Sequence, residues 1–268
     1  MNNSIFCPSL YIQGEDEQSS KIALKLTKAK DRFVVRITGG CGYMNQEDAS
    51  GLNELFEKSF EGFSGAMLFG GTRMIKKGSQ NEIVPSITEI APLVRKKNNN
   101  SVVLGVVPKT DDLYLSEYGL IVCSEESSDY VTIIHPEQDI CLMVQKSVDQ
   151  NSLWEAEYKE CIKIIDSLRK YADWKSLLIS YNGGGVTEKE ILKTAELGWP
   201  VLLIKNSGRK TDEYAENKRF LERYPNVLVC EKNYRAIRNV LKKIGAIPSE
   251  LKKEIFHTKL FAINGGSQ

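Results

Sequence analysis

The stretch SLLISYNGGGVTEKEILKTAELGWPVLLIKN, residues 176–206, holds one complete turn of a repeating design. Its first run, 176–181, is apolar with little polar alternation, which marks a strand covered on both faces. Gly183, Gly184 and Gly185 end that strand, an amphipathic run over 187–198 closes at Gly198, and a second apolar run begins at Pro200. A helix between two buried strands returns the chain to the same end of the sheet, so the strands run parallel. The expected fold class is therefore α/β: a Rossmann-like, doubly wound, mostly parallel sheet with helices on both faces.

The same alternation extends in both directions. Upstream, FVVRITGG (33–40) and GAMLFGGT (65–72) read as strands with glycine exits, and VVLGVVP (102–108) as a third. Helices are expected over 47–62, through Leu52, Leu55, Phe56 and Phe60, and over about 82–97, the latter interrupted by Pro85 and Pro92. The middle, 109–150, differs: YGLIVC, DYVTIIHP and ICLMVQK read as short strands separated by turns. Downstream, a long amphipathic helix covers 153–173, and helices over about 212–224 and 233–246 flank the strand NVLVCE (226–231). No repeat, low-complexity tract or linker divides the chain. A single domain over residues 1–268 is expected, with its core at about 33–246 and residues 247–268 as an appendage.

Composition narrows the function classes. The chain is 41% hydrophobic and 26% charged, enough apolar content for an ordinary core. Its 36 Lys+Arg and 35 Asp+Glu cancel to a net +1, which removes the global electrostatic argument for nucleic acid as a partner. The six cysteines, Cys7, Cys41, Cys123, Cys141, Cys161 and Cys230, form no C-x-x-C pair. With only two histidines, that pattern argues against zinc and for a reducing, cytoplasmic setting, and no cofactor is called for. No run approaches the length of a membrane span, and the N-terminus lacks the basic and apolar regions of a signal peptide.

In sheets of this kind ligands bind outside the carboxyl ends of the strands, and every glycine cluster falls there. The exits Gly39-Gly40-Cys41, Gly70-Gly71-Thr72 and Gly183-Gly184-Gly185 bring backbone N–H groups to one edge, and Ser207-Gly208-Arg209 adds a cation. Convergent N–H groups beside helix N-termini suit a phosphate-rich ligand. Arg209 is placed either to clamp a phosphate or to be solvated. Arg73 has the same two readings, the solvated loop being preferred. Asp212 is positioned to cap the next helix. Thr187-x-x-Glu190 has the form of a capping box, in which Glu190 serves only its own helix; the alternative is that Glu190 meets the ligand as acid, base or hydroxyl acceptor. His135 has no nearby partner in sequence and reads as structural, and Cys41 lacks a neighbouring base. Neither a P-loop nor a G-x-G-x-x-G is present.

In this order, SGAMLFGGT (64–72), VVLGVVP, LWEAE (153–157), YNGGGVTEKEI (181–191) and NSGRKTDEYA (206–215) resemble the prokaryotic relatives of the ligand-sensing N-terminal domain of melastatin-type TRP channels. That group belongs to the SLOG superfamily, with the Lonely Guy phosphoribohydrolases and the Smf-type DNA-processing proteins. The resemblance runs from about 33 to 231. Gly70, Gly71 and Thr72 match the family's G-G-T turn. Asn182, Gly183, Gly184, Thr187 and Glu190 match N-G-G-x-x-T-x-x-E; Ser207, Gly208, Arg209 and Asp212 match S-G-R-x-x-D; Trp154 and Glu157 match W-x-x-E. The resemblance implies a domain that binds a nucleotide-derived small molecule, ADP-ribose-like or a cyclic nucleotide, in a bacterial defence or stress pathway. It further implies an effector domain or partner protein and a homo-oligomer. The alternative it carries is an N-glycosidic hydrolase of nucleotides or NAD-like substrates with Glu190 as acid/base. Val186 stands where the hydrolases have a second glycine turn, their M-x-R-K stretch has no counterpart here, and Arg73-Met74-Ile75 replaces the family's usual G-V-M, so binding is expected rather than hydrolysis.

Overall fold

The computed structural model describes residues 9–12, 22, 25–40, 46–78, 82–110, 113–123, 128–145 and 153–249. Eight strands form one sheet: β1 (Ser9–Ile12), β2 (Phe33–Gly39), β3 (Ala66–Phe69), β6 (Val102–Pro108), β10 (Ile140–Val144), β11 (Lys175–Tyr181), β12 (Val201–Ile204) and β13 (Val227–Cys230). Their order is β1-β10-β6-β3-β2-β11-β12-β13, and every pairing is parallel. The apolar, unalternated strands demand cover on both faces, and two groups of helices supply it.

On one face lie α1 (Gln46–Ser59), α2 (Ile90–Lys97) and α7 (Tyr234–Lys243). Phe56, Ile90, Val94, Ile237 and Leu241 from these helices, with Phe60 just after α1, pack on Val35, Ile37, Met67 and Tyr181 of the sheet. The Phe56 ring meets that of Tyr181 edge-on, centroids 5.9 Å apart. On the other face lie α3 (Leu153–Ala172), α4 (Gly185–Glu196), α5 (Arg209–Glu216) and α6 (Lys218–Arg223). Cys161, Ile165 and Leu168 of α3 cover β3, β6 and β10, while Ile191, Ala195, Ala215 and Phe220 cover β11–β13. Along β2 the odd residues Val35 and Ile37 therefore face the first group of helices and the even residues, Val34 among them, the second.

A second, antiparallel sheet holds β4 (Thr72–Lys76), β5 (Glu82–Ile83), β7 (Tyr114–Ser116), β8 (Gly119–Cys123) and β9 (Tyr130–Ile134), in the order β5-β4-β9-β8-β7. It absorbs most of the middle region, but ICLMVQK is not part of it: β10 lies in the main sheet, beside β6. Other expectations are corrected by local chemistry. The helix expected over 82–97 is confined to α2, because Pro85 disfavours helical backbone at Val84, whose N–H instead pairs with Met74 of β4. Ser86 then caps a short 3-10 turn over Ile87–Glu89. The helix expected over 212–224 begins at Arg209 and breaks at Asn217, whose side chain caps α6 by accepting from the Phe220 N–H. The edge strand β1 lies outside the expected core, whereas Ile247, assigned to the appendage, is buried with the α7 cluster. Residues 250–268 lie outside the described residues. Among the described residues no helix is long and apolar enough to cross a membrane, and no group of three or more His, Cys, Asp or Glu is arranged to hold a metal.

The second sheet is tied to α2 through one partly buried ionic cluster. Arg73 of β4 donates to Glu89 from Nε (3.0 Å) and Nη2 (2.7 Å), and the fully buried His135 ring lies 3.2 Å from the same carboxylate. The Glu137 N–H donates to His135 Nδ1, so the neutral ring carries its proton on Nε2 and gives it to Glu89. Burial, with the Arg73 charge adding to it, lowers the His135 pKa against the pull of Glu89 and Glu137. Burial alone would raise Glu89, but the hydrogen bonds and charges of His135 and Arg73 outweigh it and hold that carboxyl at about 2. A depressed carboxyl stabilises the fold fully above its unfolded pKa of about 4.3 and loses that contribution as pH falls through the folded value. Glu89→Gln is therefore expected to destabilise the protein by about 1–3 kcal/mol at pH 7. In urea titrations the gap from wild type should close as pH falls from 4 towards 2; a gap independent of pH would show that the carboxylate charge contributes nothing.

Candidate functional site

All eight strands being parallel, their carboxyl ends share one edge. After β2 the chain builds outwards on one side through β3, β6 and β10, then crosses to place β11 on the other side of β2. Ligand crevices in doubly wound sheets form at this switch. Here a cavity of about 380 Å³ opens over the ends of β2 and β3 and the start of α4, with Thr72, Met74 and Thr132 of the second sheet closing it.

Of the residues singled out in the sequence, Gly39, Gly40, Gly70, Thr72, Gly184, Gly185, Thr187 and Arg209 line the cavity. Arg209 is the most unusual of them. Its backbone φ is 53°, a left-handed conformation that side chains other than Asn and Asp rarely adopt. Strain of this kind costs on the order of 1–3 kcal/mol and clusters at functional sites. The guanidinium lies against two glycines: a Cβ on Gly40 would sit 3.0 Å from its Nη1, and one on Gly184 would sit 2.7 Å from its Nη2. Gly184 is the N-cap of α4 and offers no side chain to the first-turn N–H groups, so the positive end of a 12-residue helix meets the cavity beside a cation.

Asn182, Gly183, Ser207, Gly208 and Asp212 do not line the cavity; they lock its two key turns to each other. Ser207 Oγ accepts from the Asn182 N–H at 3.1 Å, and the Lys210 N–H donates to the Gly183 carbonyl at 3.0 Å. Asp212 accepts from the N–H groups of Ser207 and Gly208 at 3.2 and 2.9 Å. It thus reaches back from within the first turn of α5, whose N-cap is Gly208. Gly71, at φ 61°, turns the chain from β3 into β4 where a Cβ would strike the backbone of Gly105. Arg73 is corrected: it sits neither in a solvated loop nor at the cavity, because β4 alternation turns Thr72 and Met74 inward and Arg73 towards Glu89. Cys41 lies outside the described residues.

The cavity wall also contains Glu157 and, at its exposed rim, Trp154, the W-x-x-E pair of the sequence, together with four residues that sequence reasoning passed over: Arg36, Thr38, Ser86 and Thr88. Arg36 stands in the middle of β2, opposite Leu68 on one side and Leu178 on the other, and is 4% exposed. Its guanidinium makes a fork with Glu190, Nε to Oε1 at 2.7 Å and Nη2 to Oε2 at 3.3 Å, and Nη2 also donates to Glu157 at 2.6 Å. Nη1 has no partner among the described residues. The signal was present as a lone charge in an apolar strand. Glu190, 1% exposed, does not close its own helix, since it lies mid-helix with Arg36 as its partner; the capping box is corrected on that ground. Burial opposes the Arg36 charge, but Cys161, Glu190 and Glu157 raise its pKa well above the ordinary value. Burial raises the Glu157 carboxyl, and Glu190 adds to the rise against the pull of Arg36. Glu157 lines the cavity, whereas Glu190 lies behind Arg36.

No family model and no curated protein matches the chain. Among solved structures it is similar to the molybdenum cofactor carrier protein of Chlamydomonas reinhardtii, at 15% identity, 80% of this chain and 98% of that one covered, and a TM-score of 0.48. It is similar to the protein TM1055 at 16% identity, with 78% and 98% covered and a TM-score of 0.45. A third is the molybdenum cofactor binding protein of the phototrophic bacterium Rippkaea orientalis, at 14% identity, with 80% and 98% covered and a TM-score of 0.46. All three TM-scores lie below 0.5, so these likenesses carry no argument about the superfamily of this chain. At such identities they carry no functional argument, which rests on the side chains of the site.

Removing Glu190 separates the two roles considered for it within the fold. A buried arginine deprived of its fork partner costs about 3–5 kcal/mol, against about 1 kcal/mol for a lost cap. Glu190→Ala is expected to lower urea stability by the larger amount, and a loss near the smaller one would remove the ion pair as its main function.

Proposed function

We propose that this cavity binds a nucleotide-derived small molecule with its phosphate at Arg209, and that binding rather than turnover is its purpose. The observation that carries the reading is the strained Arg209 held over the uncapped N-terminus of α4 at the switch point of the sheet. A guanidinium and oriented N–H groups are complementary to a phosphate in both charge and geometry. A volume of about 380 Å³ falls within the usual range for small-ligand sites. ADP-ribose-like compounds and cyclic nucleotides are the preferred ligands. On this reading residues 1–268 act as one cytoplasmic receptor domain, paired with a second copy, whose bound state is read by an effector domain or partner protein.

The hydrolase alternative needs a carboxyl at the ligand. Glu190 is engaged by Arg36 and does not line the cavity, which favours binding over catalysis by that residue. Glu157 does line it, so products are examined in the same experiment.

The test is a thermal-shift screen against ADP-ribose, cyclic ADP-ribose isomers, NAD, AMP and cyclic di- and trinucleotides, each recovered and checked by chromatography. A ligand that binds only the folded state raises the melting temperature. Arg209→Ala is expected to weaken the ligand found by about 1.5–3 kcal/mol in calorimetry, the range for a charge-assisted hydrogen bond. Unchanged affinity would take Arg209 out of the site, and a released base would make the protein an enzyme.

A further inference from the structure

The mechanism just described uses one end of the cavity. At 3.3 Å per residue, roughly 13 Å of strand separates Arg36 from Gly40, where the Arg209 guanidinium lies. The inner end has its own unexplained chemistry. Glu190 occupies the Nε/Nη2 edge of the Arg36 fork and Glu157 takes the remaining Nη2 contact. That leaves Nη1, with two N–H groups, as a buried donor without a partner among the described residues, on a side chain 4% exposed that lines the cavity. Burying a cation in the middle of a leucine-flanked strand, with one face of its fork unspent, is not a packing solution, because an apolar residue fills that position without orphan donors.

The charge at this end excludes a second anion site. One guanidinium faces two carboxyl groups, so the cluster carries no net positive charge whether or not one carboxyl is protonated. A phosphate is drawn to Arg209 and the α4 N-terminus and gains nothing beside Glu157. A neutral group that both accepts and donates gains from both partners, and the Thr38 and Thr88 side chains on the same wall suit such a group.

Resting on the nucleotide reading above, we infer that Arg36 and Glu157 read the end of the ligand opposite its phosphate, recognising an uncharged group with adjacent acceptor and donor atoms. Arg36 Nη1 donates to the acceptor and the Glu157 carboxyl takes the donor. A vicinal sugar diol and the edge of a base share this chemistry.

The test measures binding of AMP, adenosine, ribose 5-phosphate and inorganic phosphate to the full chain by calorimetry, in wild type, Arg36→Lys, Glu157→Gln and Arg209→Ala. Lysine keeps a cation for the two glutamates but lacks the Nη1 donor pair, and melting curves establish which variants fold. AMP affinity is expected to fall at least tenfold in Arg36→Lys and in Glu157→Gln, with phosphate binding unmoved, whereas Arg209→Ala weakens AMP and phosphate but spares adenosine. Ribose 5-phosphate following AMP in the inner variants assigns the diol; its indifference, with adenosine sensitive, assigns the base edge. AMP affinity within twofold of wild type in the folded inner variants overturns the inference and leaves the Arg209 reading standing. Equal losses for AMP and phosphate overturn it too. If Arg36→Lys fails to fold, Glu157→Gln decides alone. Wild type that binds none of the four probes overturns this inference, and the nucleotide reading falls with it only when the ADP-ribose compounds and cyclic nucleotides of the thermal-shift screen also fail to bind.

Discussion

A charged side chain in the middle of a buried parallel strand has to find its counter-charges within the protein, and most of the site's geometry can be traced to that requirement. Arg36 sits between two leucine-bearing strands and is almost wholly buried. Its partners come from α3 and α4, two helices whose sequence positions are 121 and 154 residues away. Meeting both carboxyl groups fixes how each helix sits on the sheet, since a guanidinium accepts a fork only in its own plane. The helices so positioned begin at the cavity: α3 brings Trp154 and Glu157 to it, and α4 brings Gly185, Val186 and Thr187. The ion pair thus couples the centre of the sheet to the walls of the site. Replacing one member is costly in a way that deleting a surface pair is not.

A second constraint governs the other end of the cavity. The turns after β11 and β12 each carry an asparagine with positive φ, Asn182 at 48° and Asn206 at 59°, and the second continues into Gly208 and Arg209. The two turns are bonded to each other through Ser207, Thr211 and the Gly183 carbonyl, so neither sets its conformation alone. The left-handed backbone of Arg209 is held by this mutual bonding. Its consequence is a cation aimed across Gly40 and Gly184 with no side chain between. The cavity is then electrically lopsided, positive at the turns and without net positive charge at the Arg36 cluster.

The antiparallel sheet adds the remaining wall. Thr72, Met74 and Thr132 face the cavity, while the alternate residue Arg73 is spent on Glu89. The same short segment that supplies Glu89 supplies Ser86 and Thr88 to the site, so the anchor for the second sheet and the hydroxyl-bearing wall are one piece of chain. Val107, Cys141 and Met143 of the main sheet meet Val122 and Ile134 of the second in a small apolar cluster.

Local patterns carried much of this. Apolar runs without alternation identified the parallel strands, glycine exits marked the sheet edge, and Gly184, Thr187 and Arg209 were legible as candidates because strand–turn–helix geometry is a short-range property. Two kinds of feature were not legible. The roles of Glu190 and Arg73 depended on which distant group reached them first, and a capping-box pattern cannot compete with a buried guanidinium 154 residues away in sequence. Likewise, the membership of β10 in the main sheet and of β9 in the second depends on non-local pairing that adjacent sequence does not encode. The sequence by itself determined the layer architecture and the edge where a ligand is to be sought. Only the tertiary structure decided which charges are spent on one another and which donor is left over, because burial and pairing are properties of residues brought together from three different elements.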